Sequence, residues 1–286
     1  MGPAATAVDT KDSSAVRRYA ASLFADLGWS TSAPLLERSF AEVDRLFRGN
    51  NPGYRPIDMH YHNLEHTLQA TVCALGIFRG RLAAGDEPRL TQRDAELLVL
   101  AALLHDSGYL KERQDETGTG AKYTFVHERR SCDFARRFLP GFGLDAGEID
   151  DVCAAISCTG PRSRISTQPF RRPAARLLAC MLVTADYLGQ MGSPNYPDSL
   201  DHLYREFREA FDHEGVPEDR RPYHSVDDLK RGTEAFWAKV VRPMLDSEAD
   251  GMHRFLRTGQ TNPYLQAIEA NIAEVMRRQR QGSVGG

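Results

Sequence analysis

Residues 97–110 read LLVLAALLHDSGYL. Eight consecutive apolar residues, Leu97 to Leu104, are followed at once by His105-Asp106. An apolar run without a polar face is an element buried on all sides. Thr91 can cap it as a helix, and Gly108 suits its C-terminal end. A histidine and a carboxylate at the end of a buried helix require partners there: a hydrogen-bond network, a salt bridge or a metal ion.

The flanking sequence repeats the helical pattern. Val16, Tyr19, Leu23 and Phe24 form one apolar side after Ser13-Ser14, and Leu36, Phe40, Val43 and Phe47 form another over 33–47. Leu64, Leu68, Val72, Leu75 and Phe78 follow at spacings of four, four, three and three, as a helix face requires. Further helices are expected over 124–139, 149–158, 174–189, 200–212, 226–245 and 264–279. Strand-like alternation is nearly absent. The expected fold class is all-α, a bundle of about ten helices. No Gly/Ser-rich or Pro-rich linker divides the chain. The expected layout is a flexible N-terminus (1–12), a core domain (13–195), a helical elaboration packed on the same domain (196–280) and a flexible tail (281–286).

Composition narrows the function classes. The 286 residues are 41% hydrophobic and 26% charged, which is globular composition. The net charge of −3 offers no bulk attraction for nucleic acid. Local arginine clusters such as Arg171-Arg172 and Arg277 to Arg280 read as solvated helix faces. The spacings of Cys73, Cys132, Cys153, Cys158 and Cys180 match no zinc motif, and the five read as buried free thiols of a reducing compartment. Neither a signal peptide nor an apolar stretch of membrane-spanning length is present, so a cytoplasmic protein without membrane contact is expected.

Other ionisable residues complete the His105-Asp106 pair. His62 and His66, four apart on a predicted helix, would share one face. Asp186 lies in LLACMLVTADYLGQ, where an unpaired carboxylate is costly. Each residue alone has an ordinary reading, as a satisfied core histidine or as an aspartate paired with a lysine or arginine. Together, His66, His105, Asp106 and Asp186 make a mixed nitrogen and oxygen donor set suited to Zn²⁺, Mn²⁺ or Fe²⁺ rather than Ca²⁺.

The order H…HD…D over an all-α chain resembles the HD superfamily of metal-dependent phosphohydrolases, and its four metal ligands match His66, His105, Asp106 and Asp186. YHNLEH, residues 61–66, resembles the YHNxxH signature of the cyclic nucleotide phosphodiesterases within that superfamily. The resemblance covers about residues 55–195. It implies an HD-domain fold and a divalent cofactor (Zn, Mn, Fe or Mg). It places His62 at the general acid and Asn63 at the motif asparagine. Glu128 falls where many members carry a carboxylate that orients water, and its neighbour His127 can serve the same role. Only His127 lies between Asp106 and Asp186 among histidines, so one fully protein-ligated ion is expected, with a second sharing Asp106 at most.

The expected activity is hydrolysis of a small phosphodiester, a cyclic nucleotide being favoured by YHNLEH, with a nucleotide phosphomonoester as runner-up. A di-iron oxygenase and a non-catalytic nucleotide-binding regulatory module are the competing classes. Gln190, one turn after Asp186, is a candidate for holding a base. Lys122, Arg129 and Arg130 are candidates for substrate phosphate, against the reading of exposed charges. The polar loop after His105-Asp106 is the expected wall of the pocket. Tyr187, Tyr196, Tyr204 and Tyr223 read as packing residues. The C-terminal helices could cap the pocket or form a homodimer surface.

Overall fold

Helices begin in this chain where a side chain satisfies free backbone amides. Asp12 accepts from the Ser14 amide, and Asn63 accepts from that of His66. Thr91 and Asp94 cap each other's backbone reciprocally, as do Asp145 and Glu148. The computed structural model describes residues 8–30, 34–160 and 163–282. Among them are ten α-helices: α1 Ser13–Asp26, α2 Pro34–Phe47, α3 Leu64–Ala84, α4 Gln92–Leu104, α5 His127–Phe138, α6 Ala146–Ile156, α7 Pro173–Met191, α8 Tyr196–His213, α9 Val226–Phe236 and α10 Pro263–Gly282. No strand occurs among the described residues. The fold is the expected all-α bundle. No helix is long and apolar enough to cross a membrane.

The centre is α3, with 13 of its 21 residues buried, packed most extensively on α7 and then on α4. In α4 every residue from Asp94 to Leu104 is buried, as its unbroken apolar run requires. Each such leucine contributes roughly 1.5–3 kcal/mol. A Cβ at Gly189 would lie 3.0 Å from the Ala70 amide nitrogen, so the glycine lets α7 approach α3 closely, three residues from Asp186. Arg172 ties the helices together at the opposite end of α7. Its guanidinium bonds Asp151 at 2.6 Å and Asp94 at 2.5 Å, so it is a bridging residue and not part of a solvated cluster.

Several expected boundaries move. Residues 8–12 are packed rather than loose: Asp9 and Asp12 shape a turn and Val8 lies against the core. Residues 1–7 and 283–286, and Ala33 at the expected start of α2, lie outside the described residues. Helix α5 starts at His127 rather than near Thr124, because the Thr124 carbonyl accepts from the His127 ring at 2.7 Å. The expected helix over 226–245 ends at Phe236 and continues in two wide π-type turns, Trp237–Val241 and Met244–Glu248. Pro243 stands between them; it has no N–H and its ring crowds the carbonyl four residues back, so the regular ladder cannot run through. All five cysteines are buried free thiols.

Candidate metal centre and cavity

Three central helices bring the donor atoms together. His66 stands in the first turn of α3, and Asp186 lies on the face of α7 that meets it. His105 caps the end of α4, where Asp106 leaves helical geometry (φ −102°, ψ 7°) and a tight turn over Ser107–Tyr109 follows. Gly108 makes that turn possible. A Cβ there would lie 2.0 Å from the His127 carbonyl.

His66 Nε2 lies 3.1 Å from Asp106 Oδ2, 3.2 Å from Asp186 Oδ1 and 3.2 Å from His105 Nε2. His105 Nε2 lies 3.3 Å from Asp106 Oδ2 and 3.6 Å from Asp186 Oδ1. Donors bonded at about 2.1 Å to one tetrahedral or octahedral ion stand roughly 3.0–3.4 Å apart; four of these five separations fall in that range, and His105 to Asp186 is slightly longer. His105 Nδ1 donates to the Ala102 carbonyl at 2.8 Å, which leaves Nε2 as a lone pair aimed into the cluster. Asp106 Oδ2, fully enclosed, has no hydrogen-bond partner, nor has His66 Nδ1. The group His66, His105 and Asp106 can therefore hold a metal ion, and Asp186 is placed to join it.

The electrostatics suit a cation. Burial alone would lower the pKa of His66, but the close carboxylates of Asp106 and Asp186 outweigh it and raise it to about 9. His105 rises well above its ordinary value for the same reasons. Burial would raise both carboxyls, yet the two imidazoles hold Asp106 and Asp186 below the usual range. Without an ion, protons supply the positive charge.

Asp106 and Asp186 of the cluster form the floor of a cavity of about 200 Å³. His62 stands on its wall. It is not helical: Asn63 caps α3, so the helix begins at Leu64 and His62 precedes it. Glu206 of α8 holds the segment, accepting from the His60 and Tyr61 amides at 3.0 and 2.7 Å and lying 2.7 Å from His62 Nδ1. A carboxylate there makes Nδ1 the protonated nitrogen and leaves Nε2 for the cavity. Tyr109 is sandwiched between two imidazoles, 4.9 Å from the His62 ring and 4.6 Å from that of His127.

His127, not Glu128, faces the site. Its Nε2 is 3.8 Å from Asp106 Oδ1, and it lines the cavity. The Glu128 side chain covers Gly160 instead, where a Cβ would strike its carboxylate at 1.9 Å. Adjacent helical residues point about 100° apart, so only one of the two can turn inward.

Other expected site residues are placed elsewhere. Asn63 is spent as the α3 cap, accepting from the His66 amide at 3.1 Å and donating to the His60 carbonyl at 2.8 Å. Lys122 is buried and bonded to Asp115 at 2.5 Å and to the Thr117 carbonyl at 2.7 Å. Arg129 is exposed beside a separate surface hollow. Arg130 donates to the Gly108 and Leu110 carbonyls and stacks on Tyr123. Gln190 does reach the cavity, but its amide donates to Asp186 at 3.1 Å and accepts from the Tyr61 hydroxyl.

The polar loop after the tight turn is not a cavity wall. It is tied down by Lys122, by Lys111 to Asp58 at 2.8 Å, and by Thr119 to Glu209. The wall comes from α7, α8 and α9, and Tyr187, Tyr196 and Tyr223 are part of it. Tyr204 instead donates to the His224 carbonyl. Tyr61, Tyr109 and Glu206 are the site residues that sequence reading passes over. The two tyrosines sit inside YHNLEH and HDSGYL, which was the available signal; Glu206 on an ordinary amphipathic helix offered none. No family model matches the chain, and comparison with curated proteins finds no significant relative.

Proposed function

We propose that this chain is a metal-dependent hydrolase of phosphate esters, a phosphodiester being the favoured substrate, built on the pattern of the HD superfamily. The observation that carries the reading is the convergence of His66, His105, Asp106 and Asp186 at the floor of a cavity whose wall presents His62, oriented by Glu206. A divalent ion bound by those four residues would supply the charge that polarises a phosphoryl oxygen and acidifies water.

The chain's own residues supply the rest. His62, as the imidazolium with Nδ1–H held by Glu206, would offer Nε2–H to the oxygen of the departing alcohol. Tyr109 fixes the planes of His62 and His127 by stacking between them. Burial pushes the phenols of Tyr61 and Tyr109 well above the ordinary tyrosine range, so both remain neutral. Gln190 and Tyr61 hold Asp186 in place. Asp106 turns Oδ2 to the cluster and Oδ1 toward His127, which places that imidazole beside the four donors.

The test joins metal content to turnover. Purified protein should carry a divalent metal and hydrolyse p-nitrophenyl diesters, with loss of both in His105→Ala and Asp106→Ala. His62→Ala should keep its metal and lose turnover, more severely for poor leaving groups than for nitrophenol. Full metal content in both ligand variants removes the assignment. The extra imidazole of His127 favours one second reading, a di-iron oxygenase, which iron analysis and oxygen consumption separate from hydrolysis.

A further inference from the structure

The cavity above the metal cluster has an unusual charge balance for a nucleotide site. Among the described residues no lysine or arginine lines it. Its carboxylates and imidazoles are Asp106 and Asp186 at the floor and His62 and His127 beside them. A divalent ion would be neutralised by the two aspartates, and His62 is already paired with Glu206. No surplus positive charge is left for any phosphate beyond the one at the ion.

Much of the rest of the wall is apolar. Leu200, Leu203, Phe207, Leu229, Phe236 and Val240 come from α8, α9 and the wide turn that follows. The polar groups among them are already engaged. The hydroxyls of Thr124, Thr159 and Thr233 each donate to a carbonyl of their own turn. Gln190, the one amide side chain in the cavity among the described residues, is held in place by donating one N–H to Asp186 and accepting from Tyr61. A nucleobase would find no free amide to read its edge, and burying its polar atoms unpaired is costly. Tyrosine hydroxyls are what remains.

We infer that the substrate's non-reacting part is an uncharged apolar group, alkyl or aryl, so that the chain hydrolyses single-phosphate esters of lipophilic alcohols rather than nucleotides. The inference rests on the phosphoesterase reading for the reacting group and adds the class of alcohol. In the reaction, water adds to phosphorus and the P–O bond to one alcohol breaks. The departing oxygen takes the His62 proton, and the attacking water returns one to the protein. The products are the free alcohol and the remaining phosphate ester.

The experiment uses the full chain loaded with Mn²⁺ and two series. In the first, kcat/KM is measured for p-nitrophenyl alkyl phosphates from methyl to hexyl, beside thymidine 5′-p-nitrophenyl phosphate and cyclic AMP. Each methylene should raise kcat/KM about fourfold until the cavity is filled, and the hexyl ester should exceed the thymidine ester at least a hundredfold. In the second, calorimetry measures binding of methyl to hexyl phosphonates and of AMP, and the same order is expected without any turnover. Val240→Arg, at a position 45% exposed, and Leu203→Lys, deeper in the wall, should each cut the hexyl-to-methyl ratio at least tenfold with metal content unchanged.

A flat alkyl series, or AMP bound as tightly as hexylphosphonate, overturns the inference. Turnover that favours the nucleoside ester overturns it while leaving the hydrolase reading intact. No turnover of any ester, with the phosphonate series still rising, overturns the hydrolase reading and upholds an apolar ligand.

Discussion

Removing the metal should make this protein's stability fall as pH rises. In the metal-free state each imidazole lies 3.1–3.6 Å from both carboxylates, and protons alone offset the negative charge. An imidazole whose pKa is raised on folding stabilises the fold fully below its unfolded value of 6.5 and loses that contribution as pH climbs through its folded value, about 9 for His66. The depressed carboxyls work oppositely: their contribution is present above 3.8 and is lost toward strong acid. The metal-free cluster is thus most stabilising between about pH 4 and 6.5. For His66 alone the loss by pH 9 and above is on the order of 3 kcal/mol. A divalent ion displaces those protons and binds more tightly as pH rises. At a hundred times its Kd it adds about 2.7 kcal/mol. The gap in Tm between metal-loaded and chelated protein should therefore widen from pH 6 to pH 9, by roughly 5–10 °C at about 2–4 °C per kcal/mol. Thermal melts at pH 6, 7.5 and 9, with excess Mn²⁺ or EDTA, measure it. A gap that is constant or narrows with pH refutes the argument, and a full gap retained in His105→Ala places the ion elsewhere.

Three substitutions test the surroundings of the cluster. Glu206→Gln should lower kcat about 10–100-fold with metal content unchanged, as loss of an orienting carboxylate does; unchanged kcat removes Glu206 from the site. Gly108→Ala puts a Cβ 2.0 Å from the His127 carbonyl, where ordinary contact begins near 3.4 Å. It should cost roughly 1–3 kcal/mol in urea unfolding, and an unshifted midpoint would deny the close packing of the Ser107–Tyr109 turn on α5. Lys122→Met leaves Asp115 without its amine partner; burial raises that carboxyl, but Lys122 and Tyr123 bring it down to about 2. Stability should drop by roughly 1–3 kcal/mol with KM unchanged, and a tenfold rise in KM would restore Lys122 as a substrate contact.

The legible part of the site was the part that violates composition. A histidine and an aspartate closing an eight-residue apolar run, and one aspartate in the apolar helix α7, each announce a cost that something must repay. Their convergence with His66 follows from α3, α4 and α7 being apolar helices that pack on one another. Asn63 and Lys122 were misread for a local reason. An asparagine one residue before a helix competes for its amides, and a lysine flanked by a polar loop finds Asp115 and Thr117 seven and five residues away. Glu206 was illegible because its importance depends on α8 reaching the His60–His62 segment, a contact across more than 140 residues. The choice between His127 and Glu128 required the rotation of α5, which the Thr124 carbonyl sets by accepting from His127.

The chemistry and the specificity of the site therefore reside on different stretches of chain. The ion-binding residues come from α3, α4 and α7, whose burial in the core leaves little freedom to move. The apolar wall comes from α8, α9 and the wide turns around Pro243, which are amphipathic and exposed on their outer faces. Substitutions in the wall cost little stability if they point outward and alter ligand fit if they point inward, whereas substitutions at the floor threaten core and metal together. Residues after 195 are thus not an accessory layer. Without Glu206 the His60–His62 segment loses the acceptor for two buried amides, and without Leu203 and Phe236 the metal floor would open directly to water. In the proposed hydrolysis a sheltered floor strengthens the interactions of a bound ion and of His62, so the C-terminal helices would shape that reaction as well as the choice of ligand.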